Sequence, residues 1–133
     1  MELLEFRPEN ELEKAIEDAK RGALSFADLV EVVVRSNLYI SSKGEVQQDG
    51  SGFEPLLLEQ KGNPLVAAFS SLSRPALHKQ MAEYVLQMNG REFFLRMPPG
   101  YGVILNPGYV AQLIIPSDGV ADLKKDLAAG RML

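Results

Sequence analysis

The chain has 133 residues, 46% of them hydrophobic, and a formal net charge of -4. That is the size of one domain with enough apolar content for a core, so we expect a single domain over residues 1–133. The absence of cysteine excludes disulfides, thiolate zinc sites and cysteine nucleophiles, and the absence of grouped Lys and Arg argues against nucleic acid as a partner.

The N-terminus, MELLEFRPENELEKAIEDAK, is acidic and lacks the basic and apolar regions of a signal peptide. No apolar run approaches the roughly 20 residues of a membrane span. The expected setting is cytoplasmic, with no membrane partner.

Residues 1–9 read as an extended arm, with Leu3, Leu4 and Phe6 apolar enough to dock. Asn10 reads as an N-cap with Glu13 as its capping-box partner. Leu12, Ile16 and Ala19 share one face of the helix that follows, and Gly22 ends it. Ser25 opens a second helix, with Phe26, Leu29, Val30 and Val33 as its buried stripe, although Val32-Val33-Val34 also suits a strand. Leu38-Tyr39-Ile40 reads as a first strand. Residues 41–52, SSKGEVQQDGSG, are polar and glycine-rich and read as a mobile loop.

Phe53–Glu59 and Leu65–Phe69 are strand candidates joined by the hairpin-length stretch Gln60–Pro64, with Pro55 forcing a late start or an edge position. Ser73 reads as the cap of a third helix with Pro75 in its first turn. Leu77, Met81, Tyr84, Val85 and Met88 keep helical spacing, and Asn89-Gly90 stops it. Phe93-Phe94-Leu95 fits either a short helix or a strand. The centre of the reading is MPPGYGVILNPGYVAQLIIPSDG, residues 97–119. Tyr101–Leu105 and Tyr109–Ile115 are expected to pair across Asn106-Pro107-Gly108, because proline presets φ at the second turn position and glycine accepts φ > 0 at the third. Ser117 is expected to cap a last helix carrying Val120, Leu123 and Leu127. This order does not alternate strictly, so the fold class is α+β, with a largely antiparallel or mixed sheet and helices packed on it.

The order of NELEKAIEDAKRG, LYIS, GNPLVAAFSSLSRP and GYGVILNPG resembles the SseB protein N-terminal domain family of bacteria, over about Asn10 to Leu127. The most specific pieces are AAFSSL (67–72) and GVILNPG (102–108). The resemblance implies a small α+β domain of a cytoplasmic protein, without assigned catalytic residues. It also implies that a C-terminal domain found in many members is not present in these residues. The family's name refers to a serine-sensitivity phenotype.

Catalytic and metal chemistry find little support. His78 is the sole histidine, no G-x-S-x-G elbow surrounds Ser70, Ser71 or Ser73, and Gly100-Tyr101-Gly102 is only a G-x-G followed by a strand. We therefore expect no catalytic residues, no metal site and no cofactor. The positive signal is aromatic and basic. Tyr101 and Tyr109 flank the Asn-Pro-Gly turn, and Arg74, Arg91 and Arg96 follow breaks in regular structure. Core packing is the ordinary fate of such aromatics. The alternative is an exposed patch of Arg74, Arg91, Arg96, Tyr101, Asn106 and Tyr109 that binds a protein. The functional expectation is a non-enzymatic interaction or regulatory domain with a protein partner, one form being a homodimer through the arm Leu3–Phe6. The competing expectation is a small-molecule or enzymatic role linked to serine metabolism, which needs an enclosed cavity lined by Tyr101, Asn106 and Arg91.

Overall fold

The structure, a computed structural model, describes residues 3–5 and 7–130. Helix α1 spans Glu11–Lys20, and the Asn10 side chain accepts from the Glu13 N–H at 2.9 Å. The return bond of the capping box goes one residue further back, from the Glu9 N–H to the Glu13 carboxylate at 2.9 Å. Gly22 follows the helix at φ 80°, a left-handed position that glycine fills without strain. Helix α2, Phe26–Arg35, starts at Ser25, whose hydroxyl accepts from Asp28 N–H. The ambiguous Val32-Val33-Val34 is helical and buried. Phe26, the first residue of the helix, was expected in the buried stripe but is exposed.

Among the described residues, six strands form one open mixed sheet: β1 (Asn37–Ser42), β2 (Leu57–Gln60), β3 (Asn63–Phe69), β4 (Tyr84–Asn89), β5 (Gly102–Leu105) and β6 (Leu113–Ile115). The order is β4-β1-β3-β5-β6, with β2 also paired to β3. Only β3 and β5 run parallel; the other pairs are antiparallel. The α+β class is as the sequence implies. Lys61 (φ 51°) and Gly62 (φ 83°) are the two central residues of the β2–β3 hairpin, the positive pair that a type I′ turn needs. Pro55 lies just before β2, which begins at Leu57.

The third helix is a correction. Only Pro75–His78 is helical, as a short 3-10 turn, and Tyr84–Asn89 is strand β4. The run Tyr84 to Met88 satisfies alternation as well as helical spacing. Pairing with β1 decides it, placing Leu86 opposite Ile40 and Met88 opposite Leu38. Ser73 does not cap; its hydroxyl donates to the Glu9 carboxylate. Asn89-Gly90 starts a helix rather than stopping one. The Asn89 side chain accepts from Arg91 N–H, and α3 (Gly90–Arg96) takes in Phe93-Phe94-Leu95. Gly90 packs backbone to backbone on α2: a Cβ there would lie 2.0 Å from the Val33 oxygen.

The Asn106–Tyr109 turn forms as expected, with Tyr109 N–H donating to Asn106 O and Gly108 at φ 90°. The strands on either side do pair, Val103 with Ile115 and Leu105 with Leu113. However, β6 begins only at Leu113, so Tyr109 sits in the connection. Ser41 and Ser42, assigned to the mobile loop from sequence, instead end β1 and are fully buried. The last helix, α4 (Ser117–Ala128), follows Pro116, and Ser117 lies inside it without capping.

The four helices cover one sheet face, where Ile16, Leu29, Val33, Leu38, Ile40, Phe94, Leu105 and Leu127 form the main core. The other face carries a smaller cluster of Leu56, Leu65, Ala67, Phe69 and Ile104, with Ala82 against it. The N-terminal arm is engaged with its own chain: Leu4 N–H donates to Gly108 O and Val110 N–H to Leu4 O, both at 2.9 Å. Phe6, the other end of the expected dimer element, lies outside the described residues.

Candidate functional site

Three of the six site residues expected from sequence meet in one buried polar cluster. Glu13 is fully buried on α1. Its carboxylate accepts from Arg74 Nε (3.0 Å) and Nη2 (2.8 Å), from Ser70 Oγ (2.5 Å) and from Glu9 N–H. Ser70 is also held by Asn106, whose Oδ1 accepts from Ser70 N–H at 3.1 Å and whose Nδ2 donates to Ser70 Oγ at 2.8 Å. The Tyr109 hydroxyl donates to Arg74 O, and the guanidinium lies 5.2 Å from the Tyr109 ring centroid. Arg74 also donates to Arg7 O, and Asn10 Nδ2 to Ser70 O.

Burial by itself would raise the Glu13 pKa. The Arg74 guanidinium, the Ser70 hydroxyl and the Glu9 amide outweigh that and hold the carboxyl below its ordinary value. Hydrogen bonding to Glu13 raises Arg74 in turn. The chemistry is that of a closed knot. Ser70 has both partners occupied and faces no solvent, so it is not presented as a nucleophile. His78 serves the same region, with Nε2 donating to Pro107 O at 2.8 Å and the ring 5.7 Å from that of Phe69.

The accessible site lies elsewhere, on the helix face of the sheet beyond β1. It is an open groove of about 890 Å³. Leu57, Val66, Leu86 and Met88 make its floor, Phe93, Arg96 and Met97 one wall, and the 46–53 loop the other. Tyr101 closes one end, half-buried. The loop is held in place by Lys43 N–H to Glu54 O at 2.8 Å and Gln47 N–H to Ser51 O at 2.9 Å. It is tight enough that a Cβ on Gly52 (φ 85°) would lie 2.1 Å from Glu45 O. The charged groups sit at the rim, where Arg96 and Glu92 pair one helical turn apart. Met88 and Met97 supply adaptable thioether surface.

The six expected residues therefore do not form one exposed patch. Arg74, Asn106 and Tyr109 are buried together, Arg96 and Tyr101 border the groove, and Arg91 is exposed, with a long contact to Leu127 O at 3.4 Å. Sequence reasoning missed Leu57, Leu86, Met88 and Met97. The signal that could have found two of them was the alternation of Leu86 and Met88. Among the described residues no three His, Asp or Glu side chains gather as a metal site, and no helix is long and apolar enough to cross a membrane.

Residues 12–122 match the family model described as SseB protein N-terminal domain. No curated protein and no solved structure matches the chain.

Proposed function

The chain belongs to the SseB protein N-terminal domain family, and on that premise we propose that it is a non-enzymatic protein-interaction domain that captures an extended apolar segment. The observation that carries this reading is the junction of the groove with the free edge of β4. Leu86, Gln87, Met88 and Asn89 are consecutive, and all four border the groove. Among the described residues β4 pairs only with β1. A segment laid along that edge gains main-chain hydrogen bonds and drops alternate side chains into the apolar groove, the mode called strand addition. Tyr101 and Arg96 at the groove's end keep a place in the site, as residue types suited to protein contacts. An amino-acid ligand is the weaker reading, because a zwitterion needs polar groups converging in an enclosed cavity. Here the groove is open and its charges are already paired at the rim. The cysteine-free composition supports a cytoplasmic setting for this work.

Selection of a displayed random-peptide library on the purified chain tests the reading. Enriched peptides should carry apolar residues at alternate positions and should lose binding to Met88→Lys but not to Lys20→Glu. Failure to enrich any sequence, or binders indifferent to Met88→Lys, would overturn it.

A further inference from the structure

We propose that the β4 edge also pairs with β4 of a second copy of this chain, antiparallel about a two-fold axis at Gln87. The inference rests on the reading that this edge is the docking element, and it names a specific occupant. The phase of the ladder follows from one bond. Gly90 N–H donates to Ser36 O at 2.7 Å, continuing the register in which Asn37 faces Asn89 and Leu38 faces Met88. In an antiparallel pair, directly hydrogen-bonded residues alternate with pairs that are not. Tyr84, Leu86 and Met88 therefore turn their backbone groups to β1, and Val85, Gln87 and Asn89 turn theirs outward.

The edge YVLQMN carries none of the devices that keep strand edges apart: no lysine, no proline and no charge. Its charges lie just beyond each end, Glu83 before it and Arg91 after it, both exposed. A two-fold at Gln87 sets Gln87 beside the partner's Gln87, where the two side-chain amides can bond. It sets Leu86 beside the partner's Met88 on the groove face, extending the apolar floor across the axis. It also sets Glu83 against the first turn of the partner's α3, which carries the partner's Arg91, and symmetry repeats that opposite-charge contact at the other end. A one-residue slip in either direction moves both charge pairs out of line and turns the apolar faces away from each other. Such a contact is isologous and closes at two copies. A peptide in the groove and a second copy compete for the same backbone groups.

Sedimentation velocity over a concentration series, on the whole chain, tests the pairing. The parent should show a concentration-dependent dimer. Gln87→Pro removes an outward N–H at an edge position that tolerates proline, and it should sediment as a monomer. Glu83→Arg should raise the dimer dissociation constant about ten-fold, because two opposite-charge contacts across the axis become like-charge contacts. The double variant Glu83→Arg/Arg91→Glu should restore it. A chain that stays monomeric throughout, or a dimer indifferent to both Gln87→Pro and the charge reversal, overturns the proposal. A monomer that still binds alternating apolar peptides overturns the pairing alone and leaves the interaction reading standing; a dimer sensitive to these changes that binds no peptide does the reverse.

Discussion

Arg74 and Glu13, 61 residues apart, meet in a two-point ion pair with the carboxylate fully buried. The pair ties α1 to the segment after β3. Through Ser70 and Asn106 it also reaches the turn after β5. Removing one partner leaves a charge without compensation in the interior. Arg74→Met should cost about 3 kcal/mol in chemical denaturation. Glu13→Gln/Arg74→Met together should cost less than the sum of the two single changes.

The same carboxylate sets part of the acid response. Its folded pKa lies below its ordinary value, so its contribution is complete above the unfolded pKa, about 4.3 for a glutamate. The contribution is lost as pH falls through the folded pKa. Denaturation midpoints measured from pH 7 down to pH 3 should fall more steeply for the parent than for Glu13→Gln, which should start lower at pH 7. Parallel curves would show that Glu13 titrates alike in both states.

Asn106 combines two tasks, a left-handed backbone at φ 56° and two bonds to Ser70. Ala and Gly remove the same bonds, but only Ala pays for the left-handed φ. Asn106→Ala should therefore be less stable than Asn106→Gly by about 1 kcal/mol. Equal stabilities would mean that the side chain alone matters.

The two tyrosines should separate. Tyr109 is buried against Arg74, and its replacement by Ala should cost roughly 3–5 kcal/mol, the range for large buried aromatics. Tyr101 is half-buried at the end of the groove. Tyr101→Ala should leave the melting temperature within a few degrees of the parent and weaken peptide binding.

Much of the fold is written locally. Asn10, Ser25, Gly22 and the Asn-Pro-Gly turn act through their own neighbours, and each appears where the residues imply. The errors arise where the deciding partner is distant. Tyr84–Asn89 fits helix and strand alike until β1 is placed beside it. Ser41 and Ser42 look like loop residues by polarity, yet they are buried between Val85 and Tyr84 of β4 on one side and the 54–56 segment on the other. Arg74, Asn106 and Tyr109 were expected in one exposed patch with Arg91, Arg96 and Tyr101, but they are buried together. Without the position of Glu13 nothing in their spacing shows that the group turns inward. The groove was the least legible feature, being assembled from β2, β4, α3 and a loop whose composition suggests only mobility.

The most direct test of the strand-edge account is amide exchange at two residues. The Val85 and Gln87 N–H groups point outward from β4, so in dilute monomer they should exchange with solvent far faster than the N–H groups of Leu86 and Met88, which bond to β1. Adding a selected peptide should slow Val85 and Gln87 at least ten-fold and leave α1 and α2 unchanged. Saturating peptide that leaves both amides as fast as before, or protects α1 and α2 instead, would contradict capture at this edge.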